Sequence, residues 1–265
     1  MDLGLSGKRA IVTGGSRGIG RAVARGLALE GVDVVLAARS ADTLAATAKE
    51  LSQETGRRVI GVPTDTGDEE SVRALVQTVV DELGGVDILV NSAATPWSSG
   101  KPRDFASTTD DLVREEVEIK VLGYLRTARE VAPHFIEQGW GRIINISGLG
   151  ARQSNSIAQT VRNVSVAALT KNLADELGPH GINVTVVHPG LTRTERLTDR
   201  LAAQSETEGI SVAELEERLV TNSIGRIVDA SEVADVVTFL ASPRGVAITG
   251  DAVAAGGGVP GFVYY

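Results

Sequence analysis

The fold follows from one stretch, Ala10-Ile-Val-Thr-Gly-Gly-Ser-Arg-Gly-Ile-Gly-Arg-Ala-Val-Ala24, near the start of a chain of 265 residues. A short apolar run leads into a glycine-rich turn, and an amphipathic helical pattern follows the turn. Gly14 permits the sharp turn, Gly18 lets the backbone approach a phosphate, and Gly20 allows the helix to pack closely on the strand. Because the helix points its free N–H groups and the positive end of its dipole at this turn, the stretch predicts a nucleotide-phosphate site.

Apolar runs alternate with helical patterns over the rest of the chain. This alternation is typical of a parallel sheet that is covered by helices on both faces. We predict strands near residues 8–13, 32–37, 58–62, 86–91, 141–147, 181–187 and 251–255. We predict helices near residues 17–30, 41–55, 68–83, 109–138, 157–178 and 230–241. The predicted fold is a doubly wound, three-layer α/β (Rossmann) fold with a parallel sheet of about seven strands, in one dinucleotide-binding domain over residues 1–265.

Composition narrows the range of partners. A net charge of −8 and a pI near 5.0 disfavour a nucleic acid or an anionic membrane as the main partner. The absence of cysteine and the three scattered histidines predict neither a disulfide nor a metal centre. No apolar run approaches the roughly 18 residues of a membrane span, and the first residues do not resemble a secretory signal. We expect a cytoplasmic protein that acts on a small-molecule substrate.

The pattern Thr13-Gly-x-x-x-Gly18-x-Gly20 resembles the cofactor loop of the short-chain dehydrogenase/reductase family, and later motifs extend this resemblance over almost the whole chain. The resemblance implies a nicotinamide dinucleotide bound at the carboxyl ends of the strands. The stretch from His188 to Thr194 resembles the Pro-Gly loop that holds the carboxamide and the phosphates. The expected cofactor contacts are Gly14, Ser16, Arg17, Gly18, Ile19, Gly20, Arg39, Asp65, Thr66, Asn91, Ala93, Pro189, Gly190, Thr192 and Thr194.

Two arginines favour NADP(H) over NAD(H) as the cofactor. Arg17 and Arg39 stand where guanidinium groups can pair with a phosphate on the adenosine ribose, whereas NAD-preferring sites usually place an acidic side chain there. The alternative is that both are ordinary surface arginines. Asp65 also has two interpretations. An aspartate at this point contacts the adenine amino group in the family, but it equally suits a turn before the next helix.

The chain departs from the family at the catalytic centre. Residues 169–181 resemble the end of a family helix, and a gap-free alignment places the family's Tyr-x-x-x-Lys pair on Gln159 and Asn163. Neither amide can donate a proton as a phenol does. The family's second serine, which binds the substrate oxygen, falls on Gly148, so Ser147 replaces it only if the chain bends after the strand.

Two cations near these amides offer a different chemistry. The family has an asparagine three residues before a glycine in its long helix, and that position is Lys120 here. A lysine in the pocket supplies positive charge and has a lowered pKa if it is desolvated; the alternative is a surface lysine paired with Glu116 one turn back. Arg162 lies near the same helix face as Gln159 and can stabilise an oxyanion, unless the helix merely packs on the sheet with its polar groups solvated.

Two polar segments are predicted to cover the site. Residues 95–108 form a loop whose expected apolar contacts are Trp97 and Phe105. Residues 195–225 have the composition of a mobile helical lid over the substrate. His188, just before the Pro-Gly loop, is either a proton donor or a structural residue.

Three functions are compatible with this pattern. The first is an NADP(H)-dependent oxidoreductase for a small carbonyl or alcohol, in which Lys120, Ser147, Gln159 and Asn163 form an atypical catalytic set. The second is a nucleotide-binding scaffold or regulatory protein without redox turnover. The third is a non-redox isomerase, lyase or cyclase. The family resemblance further implies a homo-oligomer, either a dimer or a tetramer.

Overall fold

Helices and strands alternate along the chain much as the sequence predicts. The computed structural model describes residues 1–95, 104–154, 156–261 and 263. The strands are β1 (Arg9–Thr13), β2 (Asp33–Ala38), β3 (Val59–Pro63), β4 (Ile88–Asn91), β5 (Gly141–Ile146), β6 (Ile182–Pro189), β7 (Thr192–Arg193), β8 (Val228–Asp229) and β9 (Ala252–Ala255). The helices are α1 (Gly18–Leu29), α2 (Ala41–Thr55), α3 (Glu69–Leu83), α4 (Asp110–Val117), α5 (Gly123–Gln138), α6 (Ile157–Leu177), α7 (Glu195–Glu208), α8 (Val212–Leu219) and α9 (Ala230–Ala241).

A seven-stranded sheet forms the middle layer. Its order is β3-β2-β1-β4-β5-β6-β9, and all neighbouring strands are parallel. The order of the strands reverses between β1 and β4, and ligands bind beyond the carboxyl ends of the strands at such a switch point. The predicted doubly wound α/β fold with seven parallel strands is therefore confirmed.

The two faces of the sheet bury separate cores. Ala10 and Val12 of β1 point to the face that is covered by α1, α2 and α9, whereas Ile11 points to the face that is covered by α3, α5 and α6. Because consecutive side chains of a strand alternate between faces, a sheet with helices on both sides needs apolar residues at every position. This requirement explains the unbroken apolar runs in the sequence.

The predicted long helix over residues 109–138 contains an irregular turn. A π-helical turn at Glu118–Leu122 joins α4 to α5. A π turn inserts one residue into the helical repeat and changes the direction of the side chains around it, often at a functional site. Lys120 lies in this turn and is buried. The 3.6-residue periodicity of the sequence does not reveal the insertion.

The segment after β6 forms two helices and a small second sheet. β7 and β8 pair in parallel, and strands of two residues are too short to be predicted from periodicity. Within residues 195–225, α7 and α8 pack through the apolar side chains of Leu197, Leu201 and Leu215. In the other predicted cover, Phe105 is exposed, and Trp97 lies outside the described residues. No helix in the described ranges is both long and apolar enough to cross a membrane.

The phosphate loop depends on a close approach between its first turn and α1. Gly14 has a φ of +65°, which favours glycine, and a Cβ there would lie 2.9 Å from the Ala93 nitrogen. A Cβ on Gly20 would lie only 2.3 Å from the carbonyl oxygen of Gly14. Any side chain at position 20 must therefore push α1 away from the loop.

We predict that Gly20→Ala lowers the thermal unfolding midpoint by about 5 °C, because the added methyl overpacks this contact. Gly178→Ala is the matched control, since Gly178 has a helical backbone and an added Cβ would meet no other element of the described chain within 4 Å. Differential scanning calorimetry on both variants makes the comparison. A Gly20→Ala midpoint equal to that of Gly178→Ala would contradict the packing argument.

Candidate functional site

A cavity of about 510 Å³ lies at the ends of β5 and β6. Its walls come from α1, the turn after β5, the start of α6, the loop after β6, and segments near residues 219–227 and 256–259. Six predicted site residues line it together: Ile19, Ser147, Gln159, Asn163, Pro189 and Gly190. Residues that are distant in the sequence thus meet at the carboxyl ends of the strands, where this type of fold binds ligands.

The phosphate loop lies against the loop that follows β6. A Cβ on Gly18 would lie 3.4 Å from the Thr194 side chain, and Thr194 caps α7 with its hydroxyl oxygen. Thr192 donates a hydrogen bond from its hydroxyl to the Gly190 carbonyl. The Gly18 N–H, which the sequence assigns to a phosphate, donates to Glu195 Oε2 at 2.9 Å in this structure. A carboxylate thus stands where the anionic group of a nucleotide is expected.

The predicted contacts at the end of β4 have well-defined structural partners. The Asn91 side chain is buried; it donates to Asn145 Oδ1 at 3.0 Å and accepts from the Thr127 hydroxyl at 2.7 Å. The Ala93 N–H donates to Thr13 Oγ1 at 3.2 Å. These bonds fix the loop after β4 against β1. A cofactor contact by Asn91 or Ala93 stays a prediction.

Asp65 adopts the turn role that the sequence left open. Its Oδ1 accepts a hydrogen bond from the Gly67 N–H at 2.9 Å, and its side chain is exposed in the turn that precedes α3. Its neighbour Thr66 is buried. Ser16 is also buried, and its carbonyl accepts from the Thr47 hydroxyl at 3.1 Å. Contacts of these three predicted residues with a cofactor stay predictions.

The two arginines that favour NADP(H) are both exposed. Arg17 precedes α1, and Arg39 follows β2, so both lie beside the carboxyl ends of the first two strands. Neither guanidinium has a hydrogen bond or an ion pair within the part of the chain that the structure describes. Both groups are therefore accessible to an anionic ligand at this edge of the site.

Lys120 is buried behind the cavity wall, next to Asn163. Its side chain donates from Nζ to the Ser147 carbonyl at 2.8 Å and to Asn163 Oδ1 at 3.4 Å. The residue is 4% exposed, so the alternative of a surface lysine is wrong. Asn163 lies between Lys120 and the cavity, and Lys120 itself does not line the cavity.

The Asn163 amide is oriented by two cations. Its Oδ1 accepts from Lys120 Nζ and from Arg162 Nε, each at 3.4 Å. Its Nδ2 lies toward the turn after β5, because a Cβ on Gly150 would be 3.0 Å from Nδ2. Since two donors require the oxygen on the same side, the amide presents its NH₂ group to the cavity lining.

Arg162 forms a buried ion pair with Glu116 on α4. Nη1 of Arg162 donates to Glu116 Oε2, and the two side chains are 8% and 0% exposed. The sequence suggests Glu116 only as a partner of Lys120, one turn away, and so misses its pairing with α6. The sequence does show that Glu116 and Lys120 share a helix face. It does not reveal the π turn, so it cannot show that the Glu116 carboxylate pairs with Arg162 instead of Lys120.

Burial changes the proton affinities of two groups near the cavity. The pKa of Lys120 is well below its ordinary value because of burial and the positive charge of Arg162, which Glu116 only partly opposes. The pKa of His188 is lowered to about 4 by burial, and then by the charges of Arg152 and Lys120. His188 is therefore neutral at pH 7, which argues against it as a proton donor. Its buried Nδ1 has no hydrogen-bond partner among the described residues.

Hydroxyl groups near the site are engaged by backbone carbonyls. Ser147 lies just past the end of β5 and lines the cavity, but its hydroxyl donates to the Asn163 carbonyl at 3.0 Å. Tyr124 donates to the Ile146 carbonyl at 3.0 Å, and burial raises the pKa of its phenol. Tyr124 is outside the cavity lining. The tyrosines at positions 264 and 265 lie outside the described residues.

A family model described as short chain dehydrogenase matches residues 8–205. The chain belongs to this family. The short-chain reductase protein NovJ of Streptomyces niveus is 34% identical to it over 252 residues, which are 95% of this chain and 93% of that protein. The 3-oxoacyl-[acyl-carrier-protein] reductase FabG of Aquifex aeolicus is 31% identical over 264 residues, which are 98% of this chain and 100% of that protein.

A solved structure of another short-chain reductase has the same architecture. The L-sorbose reductase of Gluconobacter frateurii, complexed with NADPH and L-sorbose, matches with a TM-score of 0.93 and 31% identity. The match covers 99% of this chain and 100% of that chain. Together with the family model, these relatives identify the protein as an oxidoreductase of the short-chain dehydrogenase type.

The buried ion pair gives a test of the site geometry. We predict that Arg162→Gln alone lowers the free energy of unfolding by about 3 kcal/mol, because the Glu116 carboxylate stays buried without the charge of Arg162. Glu116→Gln combined with Arg162→Gln should lose less than the sum of the two single variants. Urea unfolding of all four proteins measures the coupling energy.

The exposed Glu214–Arg218 pair on α8, with a separation of 2.7 Å, is the matched control. Its own cycle should give a coupling energy of about 0.3–0.5 kcal/mol, as is usual for exposed pairs on a helix. Equal coupling energies for the two pairs would mean that Arg162 and Glu116 are not buried together in solution.

Proposed function

We propose that this protein is an NADP(H)-dependent reductase of small carbonyl compounds, with Lys120, Ser147, Gln159 and Asn163 in its catalytic centre. The observation that carries the proposal is the contact between Lys120 Nζ and Asn163 Oδ1 at the wall of the cavity. The alternatives are a cofactor-binding protein without turnover and a non-redox enzyme. Neither has a specific observation in its favour beyond the expected replacement of the family's Tyr-x-x-x-Lys pair by Gln159 and Asn163.

The contact between Lys120 and Asn163 suggests an exchange of roles between two helices. By resemblance to the family, position 120 is expected to carry an asparagine and position 163 a lysine. This chain has the opposite arrangement, and the two side chains touch. The exchange keeps one cation and one amide near the same point, although each now comes from the other helix. Because the same two chemical groups are kept at this point, the exchange supports a catalytically active centre over one that has lost its function.

Two amides can hold the reacting oxygen. NADPH, when bound, supplies a hydride to the carbonyl carbon, so negative charge develops on the carbonyl oxygen. The Asn163 NH₂ group faces the turn that lines the cavity, and its oxygen is polarised by Lys120 and Arg162. Gln159 lies one helical turn earlier on the same face and also lines the cavity. Hydrogen bonds from these groups stabilise the developing charge, and Ser147 shapes the adjacent wall.

Lys120 supplies the proton that completes the alcohol. Because burial lowers the pKa of its ammonium group, Lys120 is a stronger acid than an exposed lysine. Asn163 lies between Nζ and the cavity, so in this proposal the proton crosses through a water molecule beside the amide. The protonated lysine is the active form for reduction, and activity should fall as the pH rises through its lowered pKa.

The residues of the first loop suit a phosphorylated dinucleotide. Gly14 and Gly20 keep the turn close to the loop after β4 and to α1, where added Cβ atoms would clash with the backbone. Arg17 and Arg39 offer exposed guanidinium groups that suit the extra phosphate of NADP(H). The NADPH complex of the G. frateurii reductase supports this preference. On binding, a phosphate would take the Gly18 N–H from Glu195.

The segment 195–225 fits a substrate lid over the cavity. Leu219, Val220 and Thr221 line the cavity where α8 ends, and Glu195 at the start of α7 contacts the phosphate loop. Displacement of Glu195 by the cofactor would thus act directly on the first turn of the lid. A homodimer or homotetramer stays a prediction from the family resemblance.

We predict that Lys120→Met lowers kcat for NADPH-dependent reduction of a small ketone or aldehyde by about 100-fold or more, which is the usual contribution of a general acid. The parent should lose activity with rising pH, and Lys120→Met should lack that decline. Loss of NADPH absorbance over a panel of small carbonyl compounds gives both readouts. Lys171→Met is the matched control, since Lys171 is an exposed lysine on α6 paired with Asp175.

Two results would contradict this function. If NADPH binds in a fluorescence titration but no carbonyl compound is reduced, the protein is a cofactor-binding protein or a non-redox enzyme. If Lys120→Met keeps the rate and the pH profile of the parent, the reductase works without Lys120, and the proposed centre is wrong.

A further inference from the structure

We propose that Arg162 selects substrates that carry an uncharged oxygen on the carbon next to the reacting carbonyl, such as α-hydroxy ketones. This inference rests on the proposed reductase function and assigns a substrate class to its cavity. One edge of the Arg162 guanidinium has no hydrogen-bond partner among the described residues.

Arg162 has one hydrogen-bond donor, Nη2, that is not used by the contacts described above. Nη1 donates to Glu116 and Nε donates to Asn163, whereas Nη2 has no hydrogen bond within the described part of the chain. The side chain is more than nine-tenths buried and lines the cavity. A ligand in the cavity that brings an oxygen to Nη2 therefore gains a charge-assisted hydrogen bond.

The position of Arg162 on α6 places it beside the two amides. Gln159, Arg162 and Asn163 occupy positions i, i+3 and i+4 of one helix, so their side chains share a face. All three line the same cavity. When the two amides hold the carbonyl oxygen, the arginine beside them meets a group attached to the neighbouring carbon.

The charges around Arg162 favour a neutral oxygen over a carboxylate. Glu116 already pairs with the guanidinium, and that carboxylate is fully buried. The other cations near the cavity are also engaged: Lys120 donates to Ser147 and Asn163, and Arg226, which lines the cavity, pairs with Glu232. A substrate carboxylate would be desolvated next to Glu116 without a cation of its own, which is unfavourable. A hydroxyl group accepts the same hydrogen bond from Nη2 without adding charge.

Other parts of the lining also suit an oxygen-rich substrate. Gln153 and Gln159 both line the cavity, and neither side-chain amide has a hydrogen bond in the described ranges. Free amides at a cavity wall can donate to and accept from hydroxyl groups. A hydrocarbon chain would leave these amides and Arg162 Nη2 without partners.

The test compares three substrates with four carbons: 3-hydroxy-2-butanone, 2-butanone and 2-oxobutanoate. We expect kcat/KM with NADPH to be at least about tenfold higher for the hydroxy ketone than for either of the others, as one charge-assisted hydrogen bond allows. In Glu116→Gln/Arg162→Gln, which removes both charges together, this ratio should fall toward one. The readout is the ratio of the two kcat/KM values, so a loss of rate that both substrates share through the altered Asn163 amide does not affect it.

Glu214→Gln/Arg218→Gln, which removes the exposed ion pair on α8, is the control and should keep the parent ratio. Equal kcat/KM values for the hydroxy ketone and 2-butanone in the parent would overturn the inference and leave the reductase function intact. A preference for 2-oxobutanoate that is lost with Arg162 would show a carboxylate site and overturn it too. Absence of turnover with every carbonyl compound would overturn the proposed function itself.

Discussion

The candidate centre depends on the side-chain oxygen of Asn163, which accepts hydrogen bonds from two cations. Lys120 and Arg162 both donate to Oδ1 of Asn163, and Glu116 holds Arg162 from the other side. The arrangement ties α4, the π turn and α6 together beneath the cavity. It turns the NH₂ group of Asn163 to the cavity side and keeps positive charge within reach of a reacting oxygen, among side chains that are all buried. Electrostatic stabilisation is strongest in such a region.

The fold was predictable because its physical requirements apply to short, continuous segments of the sequence. Strands that are buried on both faces need unbroken apolar runs, and β1, β2 and β4 have them. The turn at Gly14 needs a positive φ, and the packing of α1 on the loop leaves no room at Gly20. Such signals need no knowledge of the rest of the chain.

The site was predicted only in part, because its geometry arises from contacts between distant segments. Gln159, Asn163 and Ser147 meet at one cavity as expected. The pairing of Glu116 with Arg162 was not predicted, because the π turn that redirects Lys120 has no periodic signature. Two groups that were expected to contact the cofactor also have partners within the protein: the Gly18 N–H donates to Glu195, and Asp65 accepts from the Gly67 N–H in its own turn. Sequence patterns identify which groups can bind a ligand, but competition among internal partners is visible only in the folded chain.

The central claim is that the lysine and the asparagine of the centre have exchanged helices while keeping their joint role. The most direct test is an exchange cycle: Lys120→Asn, Asn163→Lys and the combined double variant, each assayed for kcat/KM with NADPH and the best carbonyl substrate. The account predicts that each single variant loses about tenfold or more, since one lacks the cation and the other crowds two cations, and that the double variant recovers most of this loss. A double variant whose kcat/KM does not exceed that of the less active single variant would contradict the exchange.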